Sequence, residues 1–284
     1  MIKAGTKKII PYSERLMPTT TARASRLQLF QPTRTPTYCT RKIETPYGTG
    51  EVIGRLGQMH AQLLEAICFH AERVAHLDSK GVAILIDPHE IRKALSDAER
   101  YSWSGINALA ADLRAAVLRV AVQGSGLAAI DGILDRLSPS PTMTRTNRLT
   151  GDMRRLFVAH LSPTYAAWLK ADPVPMHYDP TPLTAIRFGA STALARWVLT
   201  HRETPNGGWL LDTVLNAAGA VTTGASGRKR RHEIRADSDA LAGVGIRIEG
   251  DRVFGPYRQA PVLSTPGSVL STPGKRGWRS PHAR

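Results

Sequence analysis

The sequence predicts an α+β chain in which one plan, helices followed by a β-hairpin, is laid down twice. Three observations predict it. Apolar residues at helical spacing alternate with short β-branched runs between residues 43 and 254. The order helix, short strand, short helix, long helix and paired strands occurs once before the proline-rich "DPVPMHYDPTP" (172–182) and once after it. The third observation is charge. Of a net +15, most sits at the ends: residues 1–42 carry nine Lys/Arg against one acidic residue, and 255–284 carry five against none. Between them, 24 basic residues nearly balance 22 acidic ones. Both ends are rich in Pro, Thr and Ser and poor in periodic apolar residues, which predicts flexible basic arms over 1–42 and 255–284.

In the first half, "RLGQMHAQLLEAICFHAERVAHL" sets Leu56, Met59, Leu63, Ile67 and Val74 near helical spacing, so a helix with one core face is expected. "VAILI" (82–86) reads as a strand. In "DPHEIRKAL", Asp87 is placed to cap a short helix, with Pro88 at its first position and Glu90 at its third. "SWSGINALAADLRAAVLRV" follows, with Ile106, Leu109, Leu113 and Val117 on one face and Ser102 or Ser104 as cap. Its opposite face offers Trp103, Asn107, Ala111 and Arg114, small and polar enough to enter a groove. From Val117 to His160 the pattern turns strand-like with Gly/Ser/Pro breaks, an antiparallel wing larger than a hairpin. "SPTYAAWLK" adds a helix with Ser162 as cap.

Beyond the linker, "ASTALARWVLTHR" is a helix through Leu194 and Val198, "GWLL" a short strand, and "DTVLNAAG" a short helix capped by Asp212. "GRKRRHEIRADSDALAGVGIRI" continues as one amphipathic helix with an apolar stripe at Ile234, Leu241 and Val244. "GIRIEGDRVFG" then supplies two strands around Glu249–Asp251. This order is that of a winged helix, whose long helix lies in a major groove while the wing touches the adjacent backbone. The expectation is therefore two tandem winged-helix domains, 43–171 and 183–254.

Arg228, Lys229, Arg230 and Arg231 fall where the helix dipole disfavours cations, so local stability does not account for them. With Arg228, Arg231 and Arg235 on one stripe, the alternatives are a solvated charged face or a phosphate-binding one. The recognition position in the second module favours double-stranded DNA. In the first module the candidates are Trp103, Ser104, Asn107 and Arg114, although Trp103 could equally pack at the helix start. Arg145, Arg148, Arg154 and Arg155 on the first wing suit phosphate clamping or a plain exposed strand face.

Several chemistries are excluded. "TPGKRG" (272–277) lacks the spacing of a phosphate-binding loop and follows no strand. There is no HExxH, no GxSxG and no carboxylate pair in a cleft context, so no enzyme activity, metal or cofactor is expected. The two cysteines, Cys39 in the arm and Cys68 in a helical pattern, do not form a disulfide framework. No apolar run approaches the ~18 residues of a membrane span, and the N-terminus lacks the apolar block of a signal peptide, which predicts a cytoplasmic protein.

The segments "RLGQMHAQLLEAI", "SWSGINALAADLRAAVLRV", "ALARWVLTHRETPNGGWLLDTVLNAAGA" and "GVGIRIEGDRVF" resemble plasmid replication initiators of the IncP/RepA-like, tandem winged-helix kind, over roughly residues 43–254. The resemblance implies binding to directly repeated origin sites, opening of adjacent duplex, and recruitment of a host initiator ATPase and replicative helicase. It also implies a choice between monomer and homodimer. In the first arm, "RLQLF" (26–30) is similar to the peptide with which such initiators engage the sliding clamp; Leu27, Leu29 and Phe30 match its apolar anchors and Arg26 departs from its glutamine. Two other functions remain open on the same residues: a winged-helix transcriptional repressor, because fold does not fix function, and a protein-interaction module.

Overall fold

A computed structural model describes residues 17–77, 81–96, 101–122, 128–146 and 151–256. The chain opens with β1 (Thr20–Thr21) and α1 (Ala22–Arg26), then the hairpin β2 (Cys39–Thr45) and β3 (Gly48–Gly54). α2 (Gln58–Phe69) is followed by β4 (Arg73–His76), β5 (Val82–Ile86), α3 (Pro88–Lys93) and α4 (Trp103–Ala115). Next come β6 (Val117–Val122), β7 (Ala128–Asp131), the long hairpin β8 (Leu134–Thr146) and β9 (Met153–Leu161), and α5 (Pro163–Ala171). β10 (Pro175–Met176) and a 3-10 turn (Thr181–Ala185) lead to α6 (Gly189–Leu199), β11 (Trp209–Leu210), α7 (Leu211–Ala217), α8 (Gly224–Ala236), α9 (Ser238–Gly243), β12 (Arg247–Glu249) and β13 (Arg252–Phe254).

Two cores organise these elements. One gathers buried residues from Met17 to Leu169, the other from Leu183 to Val253. In the first, β5 is central in a sheet of order β4-β5-β9-β8. All five of its residues are buried: Ile84 and Ile86 face the main core, while Ala83 and Leu85 meet Leu156 and Val158 on the other side. That is why "VAILI" lacks alternation. In the second, α6, α7 and α8 pack on a small sheet of order β11-β13-β12, the three-helix and hairpin plan of a winged helix.

Several expectations need correcting. The first predicted helix runs only from Gln58 to Phe69, with Leu56 ahead of it, and Val74 lies in β4, paired with Ile84. The strands of 117–161 are divided between two sheets: β6 and β7 extend the β2–β3 hairpin (order β2-β3-β6-β7), and only β8 and β9 form the wing. Burying Ile43, Val52, Leu118 and Val120 on one face decides that pairing. Residues 17–42, expected within a disordered arm, are built into the fold, with Leu27 and Leu29 each 1% exposed. Cys39, assigned to that arm, lies in β2, and burial pushes the pKa of the Cys68 thiol up to about 12. The remainder of both arms, 1–16 and 257–284, lies outside the described residues.

The segment 17–38 also ties the two cores together. Arg26 donates to the Thr200 hydroxyl (2.7 Å) and carbonyl (3.1 Å) at the end of α6, and to the Tyr47 hydroxyl (3.0 Å). The Gln28 amide donates to the carbonyls of Asn216 (3.2 Å) and Ala217 (3.1 Å) at the C-terminal end of α7. A Cβ on Gly189 would lie 2.3 Å from the Thr33 Cα, so only glycine lets α6 start this close to the segment. Beneath it, Arg196 of α6 enters a buried set of acceptors on α2: Glu65, Gln58 and Gln62.

Candidate nucleic-acid interface

α8 begins at Gly224, earlier than the sequence pattern implies. Arg228 to Arg231 therefore lie past the first turn, where the dipole penalty has largely fallen away. A Cβ at Gly227 would meet the Thr222 carbonyl at 1.9 Å, and this close approach seats the helix start against the preceding turn. The helix stops at Ala236 instead of running on to Val244. Asp237, 2% exposed, accepts the backbone N–H groups of Arg187 (3.1 Å) and Phe188 (2.9 Å), and α9 follows as a separate helix with Leu241 buried.

At ~100° per residue, burial of Gly227 and Ile234 turns Ala225, Arg228, Lys229, His232, Arg235 and Ala236 outward, and all six are exposed. Arg230 and Arg231 sit at the flanks. Arg231 makes a bidentate pair with Asp212 of α7 (2.9 and 2.7 Å) and donates to the Thr222 carbonyl (3.1 Å). The Asp212 hydrogen bonds hold that guanidinium above its ordinary pKa. Asp212 is not the cap of α7; Leu210 occupies the cap position. Arg230 pairs with Glu233 at 2.7 Å, Lys229 approaches the same carboxylate at 3.9 Å, and Arg235 pairs with Asp251 of the wing turn at 2.8 Å. Arg228 has no ion-pair partner among the described residues. Sequence reasoning missed His232, although it lies four residues from Arg228 and three from Arg235 and so had to share their face.

α4 presents the corresponding face in the first module. Ser102 caps it, its hydroxyl accepting from Gly105 N–H at 3.1 Å. Ile106 and Leu113, both 0% exposed, fix its rotation, so Ser104, Asn107, Ala108, Ala111, Arg114 and Ala115 are exposed. Trp103 is not part of that surface: it stacks edge-on against Phe157 at 4.3 Å and packs on the core. Asp112, at the border of the face, accepts a bidentate pair from Arg55 (3.0 and 3.2 Å) and a bond from His60 Nε2 (3.1 Å). Since His60 Nδ1 accepts the Gly57 N–H, the ring holds α4 as the neutral Nε2–H form. Burial lowers the His60 pKa and outweighs the Asp112 carboxylate, which works in the opposite direction.

The first wing is pinned where free arginines were expected. Asp87, 1% exposed, caps α3 by accepting from His89 N–H (2.9 Å) and also accepts from Arg145 (3.1 Å) and Arg154. Burial works to raise the Asp87 carboxyl; the Arg154 and His89 hydrogen bonds and the two arginine charges overcome it and hold the pKa below the usual value. Arg145 also pairs with Glu72 at 2.7 Å. Arg155 is exposed, and Arg148 lies outside the described residues. Leu27 and Leu29 of "RLQLF" face the core, with Phe30 packed against it, so the pentapeptide is not presented as a free ligand.

Among the described residues no helix is long and apolar enough to cross a membrane, and no group of three metal-ligating side chains occurs. No protein-family model matches the chain, and no curated protein matches it. Its arrangement of two modules has a counterpart among solved structures. The fold resembles that of domains 2 and 3 of RctB. The crystal structure of the selenomethionine derivative of those domains superposes with a TM-score of 0.51 at 11% identity, covering 83% of this chain and 96% of that chain. A second crystal structure of the RctB domains gives 0.46 at 10% identity, covering 82% and 94%. At that identity the similarity to RctB concerns the α+β fold.

Proposed function

We propose that the chain is a sequence-specific, double-stranded-DNA-binding initiator of plasmid replication, which places α4 and α8 in major grooves of repeated origin sites. The observation that carries the reading is the cationic outer face of α8, in the third-helix position of a winged helix. Arg228, Lys229 and Arg235 reach outward from a helix whose inner face is fixed by Ile234, which suits a phosphate backbone. The similarity of the quoted segments to plasmid initiators favours origin binding over promoter regulation. Recruitment of a host helicase and initiator ATPase belongs to the same proposal.

Two measurements test it. Duplexes from the DNA flanking the gene are titrated across a range of salt, and the gene is supplied in trans to a plasmid whose sole origin is that DNA. The expected result is selective binding, weakened by Arg228→Ala with a salt slope shallower by about 0.9 for each phosphate no longer neutralised, together with replication. Binding without replication, accompanied by silencing of a neighbouring promoter, would instead identify a repressor. An Arg228→Ala chain that binds with unchanged affinity and slope would remove α8 from the interface.

A further inference from the structure

α4 and α8 are the same length, 13 residues, and from the fifth position onward their exposed positions coincide when each is counted from its own first residue. Position five is Asn107 in one and Arg228 in the other; position six is Ala108 or Lys229; position nine is Ala111 or His232; position twelve is Arg114 or Arg235. Both helices thus offer the same frame with different chemistry. The outer face of α4 carries one cation and otherwise methyl groups, a hydroxyl and an amide. That of α8 carries Arg228, Lys229 and Arg235, with His232 between them.

The two faces suit different depths of docking. Alanines at positions 108, 111 and 115 let the backbone of α4 approach the floor of a groove, and their methyl groups suit thymine methyls. At that depth the Asn107 amide, donor and acceptor together, matches the N6 and N7 edge of adenine, and Arg114 two turns on can reach a guanine edge. On α8 the long side chains of Arg228 and Lys229 would hold the helix away from the floor and reach the phosphates at the groove rims. Each face keeps one arginine without an ion-pair partner among the described residues, Arg114 on α4 and Arg228 on α8, while Arg235 is held by Asp251 and Arg231 by Asp212.

Resting on the DNA-binding reading above, we infer that the modules divide recognition between them, so that α4 reads base edges through Asn107 and Arg114 while α8 grips the backbone and sets the salt dependence. The full-length chain is used to select from a random duplex library, and Asn107→Ala and the double variant Arg228→Ala/Lys229→Ala are compared with it. These positions are exposed, and a thermal melt confirms folding of each variant. Asn107→Ala is expected to lose about tenfold preference at one base pair with the salt slope unchanged. The double variant is expected to bind every sequence more weakly, with the preferences kept and the slope shallower by about 0.9 for each phosphate released. An unchanged preference profile in Asn107→Ala, or a base-specific loss in the double variant, overturns the division while leaving DNA binding standing. A wild-type chain that enriches no sequence overturns the DNA-binding reading and the division with it.

Discussion

Arg196 donates to both oxygens of Glu65, at 2.8 and 2.9 Å, across the boundary between the two cores. The residues are 5% and 4% exposed, and Gln58, Gln62 and Tyr178 complete the network around them. The Glu65 charge raises the guanidinium pKa against the lowering effect of burial.

Removing one partner leaves the other charged and dry. Glu65→Ala is expected to lose about 3–5 kcal/mol of stability, read as a lower urea midpoint. A loss below about 1 kcal/mol would show that water reaches the joint and that the pair contributes little to holding it.

Leu27→Ala tests whether the N-terminal segment is part of the fold. At 1% exposure within the first core, truncation is expected to cost about 2–5 kcal/mol by equilibrium unfolding. A surface arm would show almost no change. On the same grounds the folded chain is expected to give no clamp-binding signal through Leu27 and Leu29 in a pull-down with purified sliding clamp.

His60 gives the first module an acid-sensitive prop. Its folded pKa lies below the ordinary value of about 6.5, so the unfolded chain takes up this proton first as pH falls. The contribution is complete above the unfolded value and is lost as pH drops through the folded one. Unfolding midpoints between pH 8 and 5 are expected to fall more steeply for wild type than for His60→Gln. His160 and His201 shift in the same direction, so the difference between the two slopes isolates His60. Parallel slopes would count against it.

Asp251 occupies Arg235 as a phosphate would. Asp251→Asn is expected to tighten binding to random duplex and to steepen its salt slope by about 0.9, the value of one further neutralised phosphate. The melting temperature should scarcely move, because the pair is exposed. Unaltered affinity for random duplex would mean that Arg235 does not reach the backbone.

Local chemistry was readable in the sequence where it is decided within a few residues. The caps at Asp87, Ser102 and Ser162 and the strand Val82–Ile86 fall where their residue types require. What depended on distant partners was not readable. The break after Ala236 is fixed by a carboxylate that serves amides about fifty residues earlier, and the pairing of β3 with β6 joins strands more than sixty residues apart. Composition misled at 17–42, where Thr, Pro and Arg conceal Leu27 and Leu29, two residues apart and both turned inward. On the interface, helical geometry located the outward faces, but only the folded chain shows that Asp212, Glu233 and Asp251 already occupy most of the arginines.

The joint of α2 with α6, strapped by residues 26–34, makes the molecule a gauge of fixed span. If both probe helices engage one duplex, the separation and rotational phase of the bases they meet are set by protein geometry, not by a pliant tether. Five extra base pairs, about half a helical turn, would carry one target to the far side of the double helix and leave one module without its groove.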